Sequence, residues 1–294
     1  MNEFKNRLVH LHHCRGVGWN LIDNILKKDP QLKHLYQHNL IDYISSQTAS
    51  NAVVDDLHSQ KLRDDILNYE HFNIKAITIF DEEYPFLLRE TYKPPWVIYC
   101  IGDIGLLTMD RLLAVVGSRL ATNYGKKVIH SLFPSLIQQG YGIISGLALG
   151  IDACAHGAAI HLKGKTIAVI AGGFGHIYPK ENIPLAQEMM KNHLVISEYP
   201  PNTKPQKWHF PMRNRIIAGI SHGTLVVEAK KSSGSLITAN YAIQEGREVF
   251  SVPGPIFSTY SVGTNELIGQ GAKLVLTAQD IIDELSYPVK VENL

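Results

Sequence analysis

Leu112-Leu113-Ala114-Val115-Val116-Gly117-Ser118-Arg119 decides the fold: five apolar residues, then a turn of small residues closed by a cation. An unbroken apolar run of that length, ended by glycine, reads as a strand buried on both faces. Such strands belong to parallel sheets covered by helices. The unit then repeats along the chain. Residues 143–144 lead into Ser145-Gly146 and a helix from about Ile151, and residues 166–170 lead into Ala171-Gly172-Gly173 and a helix around 183–191. Residues 194–196 run into a long loop, 197–211. Residues 224–227 precede a turn and a helix around 236–244, residues 248–252 end on Pro253-Gly254, and residues 273–276 with a helix over 278–285 close the series. This alternation predicts an α/β fold: an extended Rossmann-like, doubly wound, mostly parallel sheet over 111–288, with 289–294 as a tail.

Ligands of such sheets bind where strands turn into helices, at the carboxyl ends. Those ends carry Gly117, Ser118 and Arg119, then Ser145 and Gly146, then Gly172-Gly173 and Gly234-Ser235. Small residues there let main-chain N–H groups approach an anion. Trp208-His209-Phe210-Pro211-Met212-Arg213-Asn214-Arg215-Ile216-Ile217-Ala218-Gly219 adds the charge. Pro211 disfavours helix at Phe210, so the helix is expected to start at or just after Met212. Arg213, Asn214 and Arg215 then fall in a first turn, where each cation costs about 0.3–1 kcal/mol unless an anion offsets it. That anion is either a bound ligand or a carboxylate such as Glu198 or Glu228. Lys180 and Lys207 widen the patch from neighbouring loops. Trp208, His209 and Phe210 offer rings on which bases could stack, or simply pack the loop. The expected ligand bears phosphate.

Bulk composition sets limits on this reading. Apolar residues make up 45% of the 294 and charged ones 19%, enough core for one large domain plus a smaller one. Lys+Arg is 28 against Asp+Glu 27, so any phosphate site is a local concentration of charge. Cys14, Cys100 and Cys154 show no paired spacing and suit a reducing, cytoplasmic setting. No signal peptide, membrane span or internal repeat is legible. The dinucleotide fingerprint, a Walker A loop and a Gly-x-Ser-x-Gly elbow are all missing. Asp152 and His156, four apart on one helix and near Ser145, could suggest a hydrolytic triad, but such pairs are far more often structural.

Residues 1–70 read as a small all-helical domain and 71–110 as a connector with one short strand around 74–79. A Gly16-Val17-Gly18 break between two apolar-periodic segments has the pattern of a helix-hairpin-helix, whose turn amides face a phosphate, or of an ordinary helical hairpin. His10, His12, His13 and Cys14 are adjacent residues pointing different ways, which argues against a metal site.

The ordered motifs resemble those of the DNA-processing protein A family (DprA, also called Smf) over about 80–285. They include Val116-Gly117-Ser118-Arg119, Ser145-Gly146-Leu147-Ala148, Tyr178-Pro179-Lys180-Glu181-Asn182 and Ser197-Glu198-Tyr199-Pro200. His209-Phe210-Pro211 with Arg213-Asn214-Arg215, Ser233-Gly234-Ser235-Leu236-Ile237-Thr238-Ala239 and Val252-Pro253-Gly254 complete them. The resemblance implies a non-catalytic, cofactor-free protein that binds single-stranded DNA, forms homodimers, and hands the strand to the RecA recombinase in natural transformation. It implies DNA contacts from Arg119, Lys180 and Lys207, with Arg213 and Asn214 in the same pocket. It also implies a dimer and recombinase surface around Asn265, Glu266, Leu267, Ile268 and Leu274, and a sterile-alpha-motif-like N-terminal domain. Leu149 stands where a basic residue is common, and Gly172-Gly173-Phe174-Gly175 departs from the usual turn. The alternative reading is a Rossmann phosphoribohydrolase of nucleoside monophosphates. The turn at 233–238 lacks the glutamate which that chemistry needs.

Overall fold

The computed structural model describes residues 3–37 and 47–286; the expected tail lies outside the described residues. Nine strands form one sheet: β1 Lys75–Thr78, β2 Val97–Gly102, β3 Leu112–Val116, β4 Gly142–Ser145, β5 Thr166–Ile170, β6 Leu194–Ser197, β7 Gly223–Val226, β8 Glu248–Ser251 and β9 Lys273–Leu274. Their order is β1-β2-β6-β5-β4-β3-β7-β8-β9. All pairings from β6 to β9 are parallel, while β2 runs antiparallel to both β1 and β6.

Side-chain alternation along β3 explains why helices cover both faces. Leu112, Ala114 and Val116 join a core with Leu88, Ile216, Ile217, Ala218 and Ala239. These come from α5 (Phe86–Arg89), α9 (His209–Ile220) and α10 (Gly234–Gln244). Leu113 and Val115 face the opposite way, onto Ile129, Phe133, Ile151, Ala155 and Ile281. Those side chains belong to α6 (Asn123–Gln138), α7 (Ile151–His161) and α12 (Ala278–Ser286). The doubly wound expectation holds.

Two expectations are corrected, and a third observation bears on an alternative left open. The segment 71–110 is not a connector: it supplies β1 and β2, which extend the sheet at one edge. The unbroken apolar run of β2 is buried and pairs with β6 on one side and β1 on the other. Second, α9 starts at His209, so Pro211 is its third residue. The first four N–H groups of a helix have no internal partner, and proline there costs no hydrogen bond. Arg213 and Arg215 consequently sit in the second turn. Third, the turn between α1 (Glu3–His13) and α2 (Trp19–Lys28) already holds an anion. The Arg15 amide donates to the Asp56 carboxylate at 2.7 Å, and its guanidinium grips the same group at 2.8 Å. A carboxylate of the chain itself takes the place imagined for a DNA phosphate.

The helical unit does not stand apart from the sheet. Leu8, Leu11, Ile22, Ile25, Val53 and Leu57 share one cluster with Val97 and Tyr99 of β2. At this seam Tyr99 Oη lies 2.9 Å from His12 Nδ1, and His13 Nδ1 donates to the Val9 carbonyl at 2.7 Å while Nε2 meets the Tyr69 hydroxyl. Among the described residues no group of side chains is arranged to hold a metal. Burial lowers the pKa of His12 to about 3 and of His13 to about 4, so both are neutral in the fold.

An unfolded histidine protonates near 6.5 while these two stay neutral far below it, so the unfolded chain gains protons that the fold refuses. Stability from this seam is whole above pH 6.5 and declines as pH falls toward 4. The urea midpoint is expected to hold from pH 7.5 to about 6.5 and to drop from there to pH 5. A flat midpoint over that range would contradict neutral, buried rings.

Candidate nucleic-acid interface

β3 is where the sheet reverses direction of growth: β4, β5 and β6 lie on one side of it and β7, β8 and β9 on the other. The loops leaving β3 and β7 therefore diverge, and a crevice opens between them. A cleft of about 860 Å³ occupies that place, lined by Gly117, Ser118 and Arg119 after β3, by Lys230 and Ser232–Ser235 after β7, and by Lys207, Phe210, Arg213 and Asn214 around the start of α9.

Ring and cation are already paired in it. The Arg119 guanidinium carbon lies 6.0 Å from the Phe210 centroid, and the edge of Tyr178 closes on the same ring at 5.7 Å. Arg119, Lys207 and Lys230 are exposed, as is Lys180, which stands outside the lining beside Tyr178. Among the described residues none of these four makes an ion pair. Exposed cations without ion-pair partners around an aromatic ring can neutralise phosphates while a base stacks.

Arg213 plays a different part. It is 6% exposed, and its Nη1 donates to the carbonyls of Gly146 and Val169, the latter at 2.6 Å, while Nε donates to Asn214 Oδ1 at 3.1 Å. Burial pulls its pKa down to about 10, partly opposed by Asp152. The Asp152 carboxylate accepts from the amides of Gly146 (3.1 Å) and Ala148 (3.4 Å), and burial raises its pKa against the pull of Arg213. Arg213 thus gives the cleft wall a fixed charge, with most of its donors turned inward. Asn214 ties that wall to α10 through a 3.3 Å bond from Nδ2 to the Gly234 carbonyl. Arg215 has the carboxylate partner that its charge called for: it pairs with half-buried Glu198. Glu228 instead receives the amide and hydroxyl of Thr122, the residue that caps α6.

Besides Lys180, two further expected contacts are not brought to the cleft. Ser145 is fully buried and its hydroxyl donates to the Val115 carbonyl at 2.6 Å. Gly146 turns its amide to Asp152 and its carbonyl to Arg213, and it lacks a side chain because a Cβ there would enter the Arg213 guanidinium. Gly172 and Gly173 also lie outside the lining; a Cβ on Gly173 would strike the carbonyls of Pro200 and Pro201, so this turn serves the packing of the 198–208 loop. His209 is buried against Tyr199, centroids 3.9 Å apart, and is not offered to a ligand. Asp152 and His156 turn to separate partners: Asp152 to the amides of Gly146 and Ala148, and His156 Nδ1 to Thr166 Oγ1 at 2.7 Å, which in turn donates to Ile143 O.

Lys230 and Gln206, which the sequence reading passed over, also line the cleft, as do Tyr178 and Thr238, quoted in the motifs but given no site role. Lys230 was legible as a cation in the turn after β7; the others become neighbours only through the crossing of distant loops. At the expected dimer surface Leu267 is 5% exposed and belongs to the core, because it is on the inner face of α11 (Val262–Gly269). Asn265 clasps both backbone groups of Gly254 at 3.1 and 3.0 Å. Glu266 is exposed, Ile268 half-buried, and Leu274 lies open on the edge strand β9 together with Leu276.

Residues 75–286 match a family model described as DNA recombination-mediator protein A. The DNA processing protein DprA of Bacillus subtilis is 52% identical over 217 residues, 74% of this chain and 73% of that protein. That of Streptococcus pneumoniae is 43% identical over 234 residues, 80% and 79% of the two chains. The X-ray structure of DNA processing protein A from Streptococcus pneumoniae aligns with a TM-score of 0.84 at 37% identity, covering 97% of this chain and 99% of its own. The DNA processing protein A of Helicobacter pylori, from a structure concerned with its single-stranded DNA binding mode, aligns with a TM-score of 0.66 at 32% identity over 73% and 96%.

Gly146→Ala is expected to destabilise the fold by about 1–3 kcal/mol, since the new methyl displaces a guanidinium bonded on several sides. Urea unfolding of the variant beside the parent protein measures it. An unchanged midpoint would show that Arg213 can move freely.

Proposed function

The chain belongs to the DNA recombination-mediator protein A family, and from that premise we propose that it binds single-stranded DNA in the cleft, protects the incoming strand and loads the RecA recombinase onto it during natural transformation. The observation that carries this is a cluster of cations without ion-pair partners around an aromatic ring at the sheet's switch point: Arg119 over half-buried Phe210, with Lys207 and Lys230 lining the same cleft. Phosphates track across Gly117–Arg119, Lys180 and Lys207, and Arg213 with Asn214 forms the charged wall behind them. A duplex hides its base faces, so the stacked ring favours single strands.

The protein acts as a homodimer in this reading, with Glu266, Ile268 and Leu274 at the interface and the open edge of β9 beside them. The same region would meet the recombinase. We place the protein in the cytoplasm: the three cysteines are free, and no described helix is long and apolar enough to cross a membrane. The reading is non-catalytic. Ser145, Asp152 and His156 are each held by separate partners, and the turn at 233–238 brings Ile237 and Thr238 to the cleft without a carboxylate for phosphoribohydrolase chemistry.

Anisotropy of labelled oligo-dT over a salt series tests the reading. Binding is expected to weaken with salt, by a slope of roughly 0.7 per neutralised phosphate, and duplex is expected to compete poorly. Arg119→Ala and Lys207→Ala should each weaken binding and flatten that slope by roughly one such unit. Parent-like affinity and slope in both variants would remove the cleft as the phosphate track.

A further inference from the structure

Lys207 and Phe210 line the cleft, yet Trp208 between them does not: its indole stands outside, 58% exposed. We propose that Trp208 is an outer base-stacking platform on which single-stranded DNA continues after leaving the cleft, an inference that rests on the cleft being the strand's site.

The ring is held in place. Its Nε1 donates to Gln206 Oε1 at 2.8 Å, and Gln206 itself lines the cleft, so platform and cleft are joined by one hydrogen bond. The indole meets His209 edge-on at 4.1 Å and Tyr199 at 6.1 Å. His209 is in turn stacked on Tyr199 and anchored by a 3.0 Å bond to the Ala171 carbonyl. Below them the loop is fastened to the β5 turn, where Gly173 donates to Thr203 O at 2.8 Å and Gly175 to Pro201 O at 3.0 Å. A base stacking here finds a ring already oriented, and little conformational freedom is lost on binding.

Charge selects nucleic acid as the occupant. Residues 199–212 carry Lys204 and Lys207 and no acidic residue, and both lysines are exposed. Elsewhere, Phe80, Phe86 and Tyr92 are exposed to a similar degree, at 58%, 68% and 76%. They lie in a stretch with Asp81, Glu82, Glu83 and Glu90, whose charge repels a phosphate chain. Exposed ring, fixed orientation and local positive charge coincide at Trp208.

The experiment compares a short oligo-dT confined to the cleft with a long one reaching past it, on the full chain and its Trp208→Ala and Trp208→Phe variants. Trp208→Ala should weaken the long oligonucleotide roughly 5- to 150-fold, the span of one base–aromatic stack, and leave the short one unchanged. Trp208→Phe should recover most of the loss. Tryptophan emission should be quenched by the long oligonucleotide in the parent protein, and Trp208→Phe should abolish the change, since Trp19 and Trp96 stack on each other at the helical seam. Equal weakening of both lengths would show a structural role and overturn the platform, as would parent-like binding of both. A parent protein that binds neither length defeats the cleft reading and this one with it.

Discussion

A buried guanidinium organises this molecule. Arg213 reaches from α9 to the carbonyls that follow β4 and lie within β5, while Asp152 on α7 faces it and collects the amides of Gly146 and Ala148. A charge so deeply desolvated is tolerated only when it is hydrogen-bonded and faces an opposite charge, and here α7, α9, β5 and the turn after β4 together supply those partners. Ser145 and Gly146 are explained by that requirement. One bonds inward to β3, and the other stays small to admit the arginine.

The cleft inherits a division of labour from this arrangement. The arginine of the wall, Arg213, is immobilised by backbone carbonyls, and Arg215, outside the lining, is held by Glu198. The cations at the rim, Arg119, Lys207 and Lys230, keep their charges facing solvent. Fixed inner charge shapes a surface, and solvated outer charge exchanges counterions for phosphates. A flexible, sequence-neutral polyanion suits that combination better than a small ligand, which would need inward-pointing donors.

At the other end of the sheet, the helical unit is fused to β2 through shared core and through tyrosines that meet neutral histidines. The two extra strands β1 and β2 are what provide that surface. Helical unit and sheet are consequently expected to respond together to acid, although the histidines lie in one and the cleft in the other.

Apolar runs ended by small residues were enough to determine β3 through β8 and the doubly wound class, because burial on both faces leaves an unbroken pattern in the chain. The place of Arg119 was legible for a similar reason: a cation in the turn directly after a strand sits at the carboxyl edge in any such sheet. Tertiary structure alone decided which charges are free. Arg213 and Arg119 look equivalent in the sequence, but one meets two carbonyls from other elements and the other meets solvent and Phe210. Leu267 and Leu274, both apolar in the late segment, divide in the same way into core and surface. Periodicity reports what one element buries, whereas partners supplied by distant loops, such as Asp56 for Arg15 or Glu198 for Arg215, exist only once the chain has closed on itself.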